Sequence, residues 1–151
     1  MMQKLNLPEY TFKFRMYRSR QQIFDAVRKK YIALTPEEWV RQNFVAWLIN
    51  ERHYPSGLIA IEKELLVNEL KKRYDIVVYN NNHIPALLVE CKAPCVAVSQ
   101  KVFDQAARYN LALKVSYLIV TNGLIHYCCY IDMENGKYSF LKNIPYFDNL
   151  F

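Results

Sequence analysis

The run from Arg73 to Pro94, RYDIVVYNNNHIPALLVECKAP, limits the possible folds more than any other stretch. Two apolar segments, Tyr74 to Tyr79 and Ala86 to Val89, flank a loop of three asparagines, a histidine, Ile84 and Pro85, the composition of a short β-hairpin. If the strands fold symmetrically about that loop, Asp75 lies opposite Glu90. Period-2 alternation then puts Lys92 on the face of Glu90 and turns Cys91 the other way. Two carboxylates facing across a strand pair, with Cβ atoms about 5 Å apart, repel each other unless something cationic sits between them. A divalent metal is the obvious candidate.

Each of these residues has a plain structural explanation by itself: an aspartate opening a strand is often a cap, and a lone Glu or Lys in a strand is often a solvated face. The triple is harder to dismiss. Glu90 and Lys92 directly follow Leu87-Leu88-Val89, where a buried strand would continue apolar unless the charges had a use. Hard carboxylate donors suit Mg²⁺ or Mn²⁺, and Mg²⁺ commonly takes one or two protein carboxylates while keeping waters and phosphate oxygens. Lys92, beside two carboxylates, is expected to be protonated. It can orient an attacking water or stabilise charge building on a phosphoryl centre.

The rest of the chain supplies the setting. With 151 residues, 52% of them hydrophobic, one core suffices, and residues 1–151 read as a single domain with a basic N-terminal segment, 1–34. Between Lys13 and Lys30 stand Lys13, Arg15, Arg18, Arg20, Arg28, Lys29 and Lys30 against Asp25 alone. Such a cluster can bind phosphates through counterion release, or it can be a solvated surface segment. The candidate phosphate contacts are Arg28, Lys29, Lys30, Arg41 and Arg73. No run of 18 apolar residues is present, so a cytoplasmic protein without a membrane span is expected. Of the four cysteines, Cys128 and Cys129 are strand neighbours that point to opposite faces, and no Cys-x-x-Cys occurs, which argues for buried thiols over a zinc site.

Alternation of Tyr10, Phe12, Phe14 and Met16 suggests an edge strand or packed arm, and a short helix or turn is expected within 21–34. Thr35-Pro36-Glu37-Glu38 starts a helix with an N-cap, a proline at its first position and a capping-box glutamate. Apolar spacing carries it to about Asn50. A strand follows from Leu58, then the central hairpin, a helix over about Ser99–Leu113, and strands at Ser116–Val120, Leu124–Asp132 and Tyr138–Leu141. This order predicts an α/β fold with a mixed central sheet of about five strands and helices on both faces. Gln105 and Tyr109 share one face of the second helix, either over the hairpin site or as a surface glutamine and a core tyrosine.

Asp75, Glu90-Cys91-Lys92 and Gln105-x-x-x-Tyr109 together resemble the PD-(D/E)XK nuclease superfamily. The sequence is more closely similar to the nuclease domain at the N-terminus of type I restriction enzyme R subunits and its small stand-alone relatives. That likeness rests on DAVRKKY at 25–31, TPEEWVRQ at 35–42, Tyr54-Pro55, RYDIV at 73–77, VECKAP at 89–94, DQAARYN at 104–110 and Thr121-Asn122-Gly123. The resemblance implies a restriction-endonuclease-like core of helix, three antiparallel strands, helix and further strand. It implies Mg²⁺ or Mn²⁺ held by Asp75, Glu90 and the Cys91 carbonyl, with Lys92, Gln105 and Tyr109 in the catalytic set. Glu38 would correspond to a first-helix glutamate that reaches the metal shell, although capping explains it equally well.

DNA is the implied substrate, with a separate motor or specificity subunit and a homodimer as further candidate partners. The larger members of the family carry an ATP-driven translocase, and nothing here resembles a G-x-x-x-x-G-K-[ST] phosphate loop. The expected function is therefore metal-dependent hydrolysis of DNA without an in-chain motor. The alternative is a non-cleaving DNA-binding or subunit-interaction module on the same fold.

Overall fold

The computed structural model describes residues 2–151, apart from the side chains of residues 108, 109, 111 and 112. Its centre is a six-stranded sheet in sequence order, formed by β4 (Ile59–Val67), β5 (Leu70–Tyr79), β6 (Pro85–Cys91), β7 (Tyr117–Thr121), β8 (His126–Asp132) and β9 (Lys137–Leu141). The β6–β7 pair is parallel and all other neighbours are antiparallel. The parallel step needs a crossover, which the helix α2 (Gln100–Leu113) provides. The helix α1 (Pro36–Arg52) precedes the sheet. The architecture is mixed α/β, with one more strand in the main sheet than the sequence suggested.

Alternation along the strands sorts the apolar residues into two cores. Ile76, Val78, Leu87, Val89, Cys91 and Ile119 cluster with Val40, Phe44 and Leu48 of α1. Val77, Leu88, Leu118 and Val120 cluster with Phe103 and Ala107 of α2. Cys128 joins the first core and Cys129 the second, as neighbouring strand positions must. Val40, Phe44 and Leu48 are fully buried, so truncating Leu48 to Ala should cost about 2–5 kcal/mol.

Local signals explain both helix starts. The Thr35 hydroxyl accepts the Glu38 amide at 3.0 Å, and the Ser99 hydroxyl accepts the Val102 amide at 3.3 Å. The expected capping box is only half used, because the Glu38 carboxylate turns to Arg28, Arg41 and Gln42. Gly123, in the β7–β8 turn, has φ +82, and a Cβ there would sit 2.7 Å from Leu5 Cδ2. The chain needs glycine at that point.

The N-terminal segment follows the sequence reading in part: Phe14–Tyr17 is an edge strand, and the short helix or turn expected within 21–34 is a turn between two strands. No helix forms over 21–34. β1 (Phe14–Tyr17), β2 (Arg20–Asp25) and β3 (Lys30–Ala33) make a separate three-stranded antiparallel sheet. Its first turn uses Arg18 and Ser19, with φ +47 and +60, and its second is pinned by Asp25 Oδ1, which accepts the amides of Val27 and Arg28 at 2.9 and 2.8 Å. The i, i+3 spacing of Asp25 and Arg28 is that of this turn. A second unexpected hairpin joins β4 to β5 through Asn68 and Glu69, again with two positive φ angles, so Asp75 lies inside a ten-residue strand. No helix among the described residues is long and apolar enough to cross a membrane.

Candidate active site

The β5–β6 pairing follows the expected register: Ile76 faces Val89, Val77 faces Leu88 and Val78 faces Leu87. The next step along both strands is Asp75 and Glu90. Asp75 is held firmly, with Oδ2 accepting the Cys91 backbone N–H at 2.7 Å and Oδ1 accepting Arg41 Nη2 at 2.7 Å. Glu90 Oε1 accepts the Lys92 ammonium at 2.8 Å. Burial works against a charged Lys92, but the hydrogen bond it donates to Glu90 and the fields of Glu90, Asp75 and Glu37 outweigh it and raise its pKa. Lys92 is an ammonium at neutral pH. The Cys91 side chain packs in the α1 core, and burial pushes its thiol well above its usual range, so only its backbone is available to the site.

The first turn of α1 brings a third carboxylate to this group. Glu37 is partly exposed and accepts Arg41 Nη2 at 3.1 Å. Burial and the neighbouring Asp75 raise its pKa against the opposing pull of Arg41 and Lys92, and Glu90 adds to the rise. Lys72 stands in the same field: burial and Lys92 lower its pKa while Glu90 and Asp75 oppose the shift. Glu38, the glutamate singled out by resemblance, is buried with both oxygens engaged, Oε1 by Arg28 and Gln42 and Oε2 by Arg41. The acid facing Asp75 and Glu90 is therefore its neighbour. Sequence could not separate the two, since only the rotation of the helix against the sheet decides which glutamate points outward.

Behind the site lies a closed network. Arg28 binds Asp25 Oδ2 through Nε, Glu62 Oε2 at 2.6 Å and Glu38 Oε1 at 2.8 Å, and Gln42 bridges Asp25 and Glu38 at 2.8 and 2.7 Å. Burial alone would raise the Asp25 pKa, but hydrogen bonds from the Arg28 backbone and guanidinium and from Gln42 bring it below the ordinary value. Glu62, which the sequence reading overlooked, has φ +51 in mid-strand. The β4–β5 ladder passes from Ile61–Ile76 to Lys63–Tyr74, stepping over Glu62 and Asp75. A left-handed non-glycine residue costs about 1–2 kcal/mol. In that conformation the Glu62 carboxylate meets Arg28, with Arg41 at 3.9 Å and Arg73 at 3.8 Å.

The expected phosphate contacts divide accordingly. Lys29, Lys30 and Arg73 are exposed. Arg28 and Arg41 retain only 12% and 5% side-chain exposure and are engaged by carboxylates, so they build the site's scaffold and do not present themselves to a ligand in this state. Gln105 is exposed on α2, outside the hydrogen bonds of the cluster. The Tyr109 side chain lies outside the described residues.

The donor set suits a hard cation. Three carboxylates share one field, and burial first, then the charges of Asp75 and Glu90, raise the Glu37 pKa. A carboxylate has about four lone-pair sites, and Asp75 uses two of them on Arg41 and Cys91. Among the described residues no three His, Cys, Asp or Glu side chains already stand together as a metal cage. The arrangement fits an ion that takes one or two carboxylates and keeps its waters.

Comparison with known proteins completes the picture. Residues 36–145 match the family described as type I restriction enzyme R protein N terminus (HSDR_N). A solved fragment assigned as an HsdR subunit of a type I restriction enzyme from Vibrio vulnificus YJ016 superposes with a TM-score of 0.54 at 22% identity. The alignment covers 79% of this chain and 25% of that one, so this chain spans about a quarter of that relative and the likeness is one of fold. No curated protein matches.

Proposed function

This chain belongs to the family of type I restriction enzyme R protein N termini, and from that premise we propose that it is a metal-dependent phosphodiester hydrolase acting on DNA. The observation that supports this reading best is the gathering of Glu37, Asp75, Glu90 and Lys92 at one end of the β5–β6 hairpin, under the first turn of α1. Asp75, Glu90 and the Cys91 carbonyl would hold Mg²⁺ or Mn²⁺, which when bound polarises a phosphate and lowers the pKa of water.

The remaining work falls to the chain's own groups. Lys92 is held as an ammonium, so it does not take a proton from water; it orients the nucleophile and offsets charge that accumulates on the phosphoryl oxygens. Arg41 and the Cys91 amide fix the rotamer of Asp75, so the carboxylate needs little reorganisation to bind. Glu37 adds negative charge near the ion.

Incubation with plasmid and linear DNA in Mg²⁺ or Mn²⁺ tests the proposal. Wild type should cleave, and Glu90→Ala and Lys92→Ala should each reduce the rate about 10²–10³-fold, the range for losing one group that stabilises developing charge. Equal cleavage by wild type and both variants would overturn it. One observation favours a second reading, a non-cleaving DNA-binding or subunit-interaction module: Asp75 already has a cationic partner in Arg41. Absence of cleavage by wild type with either metal, alone or with a separate motor or specificity subunit, would favour that module.

A further inference from the structure

The three-stranded sheet lies outside the matched family region, and its two faces differ sharply. Pairing of Arg15 with Gln22, Tyr17 with Arg20 and Phe24 with Tyr31 places these residues on one face. The other face carries Ile23 and Asp25, both fully buried. On the first face Lys13, Arg15, Tyr17, Arg18 and Arg20 are exposed. The single carboxylate between residues 13 and 33, Asp25, is turned inward, so nothing in this segment neutralises the outer face. The cations are also ordered by aromatic rings. The Arg15 guanidinium lies 4.1 Å from the Tyr31 ring centroid and 5.4 Å from that of Tyr17, with Nε donating to Gln22 Oε1 at 2.7 Å, and Arg18 lies 5.2 Å from Tyr17.

We propose that this face is a nucleic-acid platform: Arg15, Arg18 and Arg20 contact phosphates, and Tyr17 and Tyr31 hold the guanidinium groups in place. Guanidinium groups held over aromatic rings are suited to a sugar–phosphate backbone, where charge supplies affinity without sequence readout. The platform is tied to the active site, because Arg28, in the turn between β2 and β3, is bound to Glu38 and Glu62. The inference rests on DNA being the substrate and adds where it is held.

Binding of a fluorescently labelled DNA duplex, measured by anisotropy in EDTA across a salt series, separates this from catalysis. The variant Arg15→Ala/Arg18→Ala/Arg20→Ala should bind at least about tenfold more weakly at low salt, with the slope of log K against log salt reduced by about 2–3. A charge-matched control, Lys101→Ala/Lys137→Ala/Lys142→Ala, removes exposed lysines elsewhere and should retain the wild-type slope within about one unit. Circular dichroism melts establish that both variants fold. Equal losses in the two variants would overturn the platform, as would wild-type protein that ignores DNA yet binds vesicles of phosphatidylserine. If wild type cleaves DNA while the arginine variant binds and cleaves normally, the platform fails and the hydrolase stands. If no variant cleaves but the arginine variant alone loses affinity, the platform stands and the hydrolase fails.

Discussion

Two groups of charged side chains meet at Arg41, and they are built on opposite terms. In the closed network, Asp25, Glu38, Gln42 and Glu62 surround Arg28, and nearly every polar atom has a partner. In the open group, Glu37, Asp75 and Glu90 share Lys92, one arm of Arg41 and the field of Lys72. A saturated buried network fixes geometry, whereas a partly exposed one with free carboxylate lone pairs leaves room for a further cation. The first should reveal itself through stability and the second through binding.

The largest expected effect breaks the closed network. Arg28→Ala leaves Asp25, Glu38 and Glu62 without their shared cation and should cost about 3–5 kcal/mol in urea unfolding, the range for removing one partner of a buried pair. Arg73→Ala, at an exposed position with a 3.8 Å pairing, should fall within about 0.5 kcal/mol of wild type. Equal costs would show that the enclosed cation holds the network no more firmly than an exposed one at its edge.

Next is the open group. Mn²⁺ at about 100 times its Kd should stabilise the fold by about 2.7 kcal/mol and raise its melting temperature accordingly. Asp75→Asn should blunt that rise, while Arg73→Ala should keep it. An unchanged melting temperature at millimolar Mn²⁺ in the wild type would count against the metal site.

A smaller effect is set by acid. The folded-state pKa of Asp25 lies below its ordinary 3.8, so its contribution is present above that value and is lost as pH falls through the lower, folded one. Asp25→Asn should therefore flatten the acid limb of the stability curve below about pH 4. A limb of unchanged steepness would show that the network is not what acid breaks.

The smallest effect has the opposite sign. Glu37 has a raised pKa, so its charge costs stability at neutral pH, and Glu37→Gln should slightly raise the melting temperature without divalent metal while reducing the Mn²⁺-dependent gain. A lower metal-free melting temperature would place Glu37 with the closed network.

The hairpin was readable because its alternation and loop composition are local, and the facing of Ile76 with Val89 follows directly from them. Thr35-Pro36 fixed the start of α1 for the same reason, since a cap acts over three residues. The two missed hairpins turn through Arg18-Ser19 and Asn68-Glu69, which lack the glycine that signals such turns. Ile23, Phe24 and Val27 have a spacing compatible with a helical turn, and only pairing with β1 and β3 made the first two part of a strand.

Sequence alone determined the order of elements from α1 onward, the strand register around the acids and the proximity of Glu90 to Lys92. These depend on hydrogen bonds and alternation within a few residues. Only the tertiary structure decided that Glu37 faces the site while Glu38 faces inward, that Arg28 is enclosed by three acids, and that Glu62 belongs with them. A charged side chain takes its partner from whatever packing brings within a few ångströms, and those groups come from elements separated by tens of residues.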